Sequence, residues 1–234
     1  MQKKYGGIQL ILGPMFSGKS SELIKLIRRF NVKKQKTIVV KFSFDNRYSF
    51  ENECNVTTHD KFTYPAIKCT KLSEVKSILD EHDVIGIDEG QFFPDLMSVC
   101  EDLANKGKNI VISALNANYK RESFESILNI FPKCEKIINL QSICYFCNED
   151  APFTLRTVNN TDEVLIGGIE SYKPVCRVCY NKETHKELMG EISPEKTTEN
   201  SNLITPKSDN SSDTSFKIDF DTPTKVPTFD VDKN

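Results

Sequence analysis

Apolar positions over the first 140 residues follow two alternating rhythms. Short runs rich in Ile and Val lie at 8–12, 37–42, 84–88, 109–115 and 136–140. They are mostly apolar throughout, as strands buried on both faces should be. Between them, amphipathic stretches predict helices over 20–30, 71–81, 94–105 and 124–130. In the first, Leu23, Ile24, Ile27 and Phe30 recur at helical spacing, with Lys25, Arg28 and Arg29 elsewhere. In the third, Pro94 suits a first turn and Gly107 a stop. Strand–helix alternation predicts an α/β domain with a mainly parallel sheet, over residues 1–141.

The rhythm then stops. Residues 142–190 hold two Cys pairs joined by a polar connection that ends in Gly167-Gly168, and read as a small appended domain. In residues 191–234 the few apolar positions are scattered and build no face, so this acidic segment reads as a disordered tail. The tail carries a net −4 of the chain's −2, so residues 1–190 are mildly basic at +2. That bias suits an anionic small molecule and argues against a strongly basic nucleic-acid protein. No apolar stretch reaches the ~18 residues a membrane span needs, and residues 1–7 are polar, without a signal core. A reducing compartment is expected, where clustered cysteines point to metal or chemistry rather than to bridges.

Gly13-Pro14-Met15-Phe16-Ser17-Gly18-Lys19-Ser20 fits GxxxxGK[ST] between a predicted strand and a predicted helix. Glycines there let backbone N–H groups converge on phosphate oxygens at a helix N-terminus. Lys19 would reach the β- and γ-phosphates, and the Ser20 hydroxyl would hold Mg²⁺. The motif implies nucleotide binding without separating a kinase from a motor or a switch. The strand at 84–88 ends in Asp88-Glu89. Asp88 is the candidate magnesium acid, and Glu89 the candidate general base or water-orienting group; a solvated acidic turn is the bland alternative. Asp45-Asn46-Arg47 follows the second strand, where Arg47 would neutralise phosphoryl charge with Asp45 holding it; a surface ion pair remains the alternative.

Cys144 and Cys147, then Cys176 and Cys179, form two CxxC pairs separated by 28 residues. Four thiolates at this spacing fit a closed tetrahedral zinc site; disulfides or free thiols are the alternative. Cys54, Cys69, Cys100 and Cys134 show no ligand spacing, and Cys100 reads as buried packing.

Taken together, these strings resemble the cytosolic, zinc-containing type II thymidine kinase family. They comprise 11–20 (Ile-Leu-Gly-Pro-Met-Phe-Ser-Gly-Lys-Ser), Asp45-Asn46-Arg47-Tyr48, Val84 to Phe93, the CxxC pairs, and Ile166-Gly167-Gly168 with Tyr172. The resemblance covers roughly residues 8–181. It implies a RecA-like phosphate-loop domain and a small zinc-binding lasso domain. It also implies transfer of the ATP γ-phosphoryl to the thymidine 5′-hydroxyl. By the same likeness Glu89 is the general base and Arg47 lies near the phosphates. Met15, Gln91, Phe92, Leu115, Tyr119, Phe124 and Tyr172 match positions lining the nucleoside pocket. Glu163, Val164, Leu165, Ile166 and Gly167 match a lasso whose backbone bonds the thymine edge. The family implies a cytoplasmic homotetramer with ATP-Mg as co-substrate, structural zinc and dTTP as feedback inhibitor; the charge balance and the lack of an apolar span add the expectation of no nucleic-acid or membrane partner. Asn116-Ala117 stands where many relatives have Asp-Gly, and Tyr119 where Phe is common. No Lys-Glu-Asn degradation string occurs in the tail. Competing readings are a kinase of another deoxynucleoside such as deoxyuridine, a zinc-ribbon nucleic-acid module with ATPase activity, and a non-catalytic nucleotide switch.

Overall fold

A computed structural model of the chain describes residues 6–43, 54–57, 63–158 and 167–189. The chain divides after Glu191, and the segment that follows lies outside the described residues, as does the expected tail. In order, the elements are β1 (Gly7–Gly13), α1 (Lys19–Val32), β2 (Thr37–Phe42), β3 (Cys54–Thr57) and β4 (Thr63–Cys69). A 3₁₀ turn (Leu72–Val75) runs into α2 (Lys76–Asp80), followed by β5 (Val84–Asp88), a second 3₁₀ turn (Gly90–Phe92) and α3 (Leu96–Asn105). Next come β6 (Asn109–Leu115), α4 (Glu125–Ile130) and β7 (Lys136–Asn139). Four short strands, β8 (Ser142–Ile143), β9 (Asp150–Ala151), β10 (Phe153–Arg156) and β11 (Tyr172–Val175), precede α5 (Arg177–Met189).

The main sheet has strand order β3-β4-β2-β5-β6-β1-β7, parallel except for the β3–β4 pair. Its strands are apolar on both sides because both sides are covered. Ile11, Val39, Val84 and Val111 point to α1, meeting Leu23, Ile24, Leu26 and Ile27. The alternate positions Leu10, Leu12, Ile85, Ile87, Ile110 and Ile112 pack on the opposite side with Leu72, Leu79, Leu96, Leu103 and Ile127. Each fully buried Leu or Ile contributes about 1.5–3 kcal/mol, so this double core fixes the strand ends that follow. Cys100 is fully buried in it.

All five predicted strands are present, but one is not doubly buried. β7 pairs only with β1, at the sheet edge, and Ile137 is exposed. The predicted helix over 71–81 divides into the 3₁₀ turn and α2. The predicted helix over 94–105 starts at Leu96, after Pro94 and Asp95. The Asp95 carboxylate accepts the Leu72 and Ser73 N–H groups at 3.0 and 2.9 Å, capping the other turn instead of its own helix. The β3–β4 hairpin lacks an apolar run, and Pro65 within β4 argues locally against a strand. α5 lacks an apolar stripe, so periodicity does not reveal it.

Candidate active site

β5, β6 and β1 are neighbours in the sheet, so their carboxyl ends open side by side, where parallel α/β sheets bind ligands. β1 ends at Gly13. A Cβ there would stand 2.5 Å from Ser17 Oγ and 2.7 Å from Leu140 O, so only glycine fits. Phe16 and Gly18 adopt left-handed backbone, with φ of 64° and 79°. This geometry folds the loop tightly enough for α1 to begin at Lys19. Ser17 Oγ and Lys19 Nζ both donate to Pro14 O, at 2.9 and 2.7 Å. Burial holds the Lys19 pKa below the usual lysine value, against the opposing pull of the Glu89 and Asp88 carboxylates.

Asp88 is buried at the end of β5. Its Oδ1 accepts from Ser20 Oγ at 3.0 Å and from Ser113 Oγ at 2.6 Å. The loop hydroxyl and the strand-end carboxylate are thus one hydrogen-bonded pair, the donor set for a hard divalent cation. Glu89 takes left-handed backbone, φ 59° and ψ 42°. That conformation costs a non-glycine residue about 1–2 kcal/mol and turns the chain sharply beside the phosphate loop. Gln91 Nε2 donates to Glu89 Oε2 at 2.7 Å, and Leu115 N donates to Gln91 Oε1 at 3.0 Å. Ser126 Oγ donates to Gln91 O at 2.8 Å. Burial, then the Asp88 charge, raise the Glu89 pKa above the ordinary glutamate value; Lys19, the Gln91 hydrogen bond and Lys41 oppose them. A cation, a metal-type hydroxyl–carboxylate pair and a carboxylate with raised proton affinity therefore share one corner.

An aromatic wall adjoins it. Phe42, the last residue of β2, packs on Phe92 and Phe93 with centroids 5.5 and 5.2 Å apart, and Phe92 meets Phe124 at 6.1 Å. Met15 N donates to Thr154 Oγ1 at 3.0 Å, and Ser142 Oγ donates to Phe16 O at 3.1 Å, so β10 and β8 brace the tip of the phosphate loop. Tyr119 O accepts from Tyr180 OH at 2.7 Å. The Arg156 guanidinium lies 3.7 Å from the Tyr119 ring centroid and donates to Tyr172 OH at 2.8 Å. Gly167 abuts Ser171, whose Oγ would lie 2.5 Å from an added Cβ.

The four cysteines converge, with all Sγ atoms within 4.8 Å of one another and Cys147 Sγ 3.6 Å from Cys176 Sγ. Thiolates bound at ~2.3 Å to one tetrahedral ion lie roughly 3.8 Å apart, so this cluster is compatible with zinc. Around it, Cys144, Ala151, Leu155, Val175 and Tyr180 form a small separate core.

Asp45, Asn46, Arg47 and Tyr48, and Glu163, Val164, Leu165 and Ile166, lie outside the described residues. Ser113, Thr154 and Arg156 are the contacts that sequence reasoning missed. Ser113 had a signal, as the one hydroxyl inside the apolar run of β6. Thr154 and Arg156 alternate on a strand too short to show a period.

Comparison with known proteins bears on this geometry. A family model described as thymidine kinase matches residues 6–180. The chain is 46% identical over 182 residues to thymidine kinase 1 of Dictyostelium discoideum, covering 77% of this chain and 80% of that protein. It is 44% identical over 175 residues to the thymidine kinase of Vaccinia virus (strain Western Reserve), covering 75% of this chain and 97% of the viral one. Among solved structures, similarity to the flagellar accessory protein FlaH of Methanocaldococcus jannaschii is slight, with 15% identity and a TM-score of 0.42 over 63% of this chain and 76% of that one. It carries no weight here.

Proposed function

The chain belongs to the thymidine kinase family, and from that premise we infer how its residues move the γ-phosphoryl group of ATP onto the 5′-hydroxyl of thymidine. The observation that carries the reading is the corner shared by Lys19, Asp88 and Glu89. Backbone N–H groups of Phe16, Ser17 and Gly18 and the Lys19 ammonium receive the β- and γ-phosphates, with Gly13, Pro14 and Met15 shaping the loop. Ser20 and Asp88 are the residues that would hold magnesium, whose charge neutralises the β- and γ-oxygens. Arg47, with Asp45 and Asn46, adds positive charge at the transferring group.

Glu89 accepts the proton of the 5′-hydroxyl as the O5′–Pγ bond forms and the bond from Pγ to the β,γ-bridging oxygen breaks. ADP and dTMP leave, and the carboxyl then returns the proton to solvent. A raised pKa makes Glu89 a better proton acceptor than an ordinary carboxylate. The Gln91 bond keeps it aimed. Met15, Gln91, Phe92, Leu115, Tyr119, Phe124 and Tyr172 enclose the nucleoside, and the backbone of residues 163–167 reads the thymine edge. Cys144, Cys147, Cys176 and Cys179 bind one structural zinc that holds the strands flanking that segment. The working unit is a cytoplasmic homotetramer in which dTTP occupies the nucleoside site as feedback inhibitor. No described helix is long and apolar enough to cross a membrane.

ATP consumption with thymidine, deoxyuridine, deoxycytidine or DNA added singly tests the reading. ADP and dTMP should form in equal amounts, with thymidine preferred. Stimulation by DNA, or hydrolysis indifferent to nucleoside, would overturn it.

A further inference from the structure

β10 presents two faces with different duties. Leu155 points to the small core around the cysteines, with Phe153 packed against it. Thr154 and Arg156, on the alternate face, are both buried, at 5% exposure each. Thr154 holds Met15 of the phosphate loop. Arg156 stands in register across from Tyr172, the first residue of β11 and the exit of the connection that runs from residue 157. Its Nη2 donates to Tyr172 OH at 2.8 Å while its guanidinium plane covers Tyr119 at 3.7 Å. Tyr119 is fixed from behind through its carbonyl by Tyr180 OH.

One side chain therefore joins the loop after β6 to both ends of the β10–β11 connection. Only arginine suits the place: a planar cation stacks on one ring and donates to the next, whereas an ammonium lacks the plane and the fork.

We propose that Arg156 is a positioning residue of the nucleoside site, setting the separation of Tyr119 from Tyr172 and through it the affinity for the nucleoside. The inference rests on the reading that those two tyrosines line that site. A purely structural arginine would alter stability and both substrates alike. A positioning arginine acts on the nucleoside and spares ATP, because the Lys19–Asp88–Glu89 corner is built on the start of α1 and the end of β5.

Steady-state kinetics of Arg156→Lys, Tyr172→Phe and the double variant test this, with zinc content measured on each. Arg156→Lys should raise the thymidine KM about tenfold, the factor for losing one buried hydrogen bond and part of a stack. The ATP KM should move less than about twofold, with kcat falling less than the thymidine KM rises. Tyr172→Phe removes only the hydroxyl, and should shift the thymidine KM the same way by less. The double variant should be no worse than Arg156→Lys, since both break one contact. Equal rises in both KM values, an unmoved thymidine KM, or additive effects would overturn the proposal. Should Arg156→Lys fail to fold, Tyr172→Phe decides alone, and an unchanged thymidine KM there refutes it. If the wild type prefers another nucleoside, the thymidine reading fails and the KM for that nucleoside is read instead. A wild type inert toward every nucleoside overturns both.

Discussion

Two regions of this molecule hold functional side chains by different means. The corner of Lys19, Asp88 and Glu89 stands on the first residue of α1 and the end of β5, beside a sheet whose faces are each covered by a large apolar cluster. Tyr172 and Arg156 stand on two short strands over a core of five buried apolar residues among the described residues. Hydrophobic burial suffices for the first. For the second it does not, because so small a core cannot offset the ordering of its strands; on the proposed reading a zinc cross-link at the four cysteines would make up the difference. On the proposed reading the chemistry rests on the main sheet, whereas Tyr172 and the 163–167 segment of the nucleoside site rest on the part that zinc would organise. Thr154 and Ser142 connect the two at the phosphate loop.

Glu89→Gln should break the chemical region most severely. It keeps the shape and removes the base, so kcat should fall about 10²–10⁴-fold with ATP and thymidine binding retained. The same change should not destabilise the fold. Burial and Asp88 raise the Glu89 pKa, so ionised Glu89 is unfavourable in the folded state. That cost accumulates as pH rises from the unfolded glutamate pKa through the raised folded one, and is absent below both. Tm of Glu89→Gln should therefore exceed that of the wild type at neutral pH, and the gap should close on acidification. For the same reason the rising limb of the wild-type pH–rate profile should lie above an ordinary glutamate pKa. A variant with near-normal kcat, or one that loses ATP binding, removes Glu89 from the base role.

A matched pair sharpens the comparison. Leu10 is fully buried in the main sheet and Leu155 almost so in the small core. Leu10→Ala should cost about 2–5 kcal/mol of global stability, seen in denaturant unfolding. Leu155→Ala should leave the global transition nearly in place and loosen its strands locally, raising the thymidine KM about tenfold. Equal losses of global stability would mean that the two regions unfold as one. The smallest effect is expected from Ser113→Ala. Asp88 keeps its Ser20 partner, so the Mg²⁺ concentration for half-maximal rate should rise only about three- to tenfold.

Legibility in the sequence follows the same division. The doubly covered strands announce themselves through short runs rich in Ile, Val and Leu, and Gly13 to Ser20 and Asp88-Glu89 sit at their ends, so the chemical corner was readable. Its supports were less so. The left-handed backbone of Glu89 leaves no trace in composition, and Asp95 caps a turn more than 20 residues upstream, a pairing only tertiary structure creates. On the other side the cysteine spacing was plain. β8 to β11 were not, because strands of two to four residues are too short for a period and are ordered by what lies around them.

Stripping zinc while following both ligands separately tests the division most directly. Freshly purified protein should contain about one zinc per chain, as a four-thiolate site requires. After chelation, thymidine affinity should fall at least about a hundredfold, two decades or roughly 2.7 kcal/mol. ATP affinity should fall no more than about tenfold, reflecting only the Thr154 and Ser142 braces. Restored zinc should restore thymidine binding. Zinc-free protein that binds thymidine normally, or that loses ATP and thymidine equally, would contradict a recognition wall organised by metal beside a chemical corner built on the sheet.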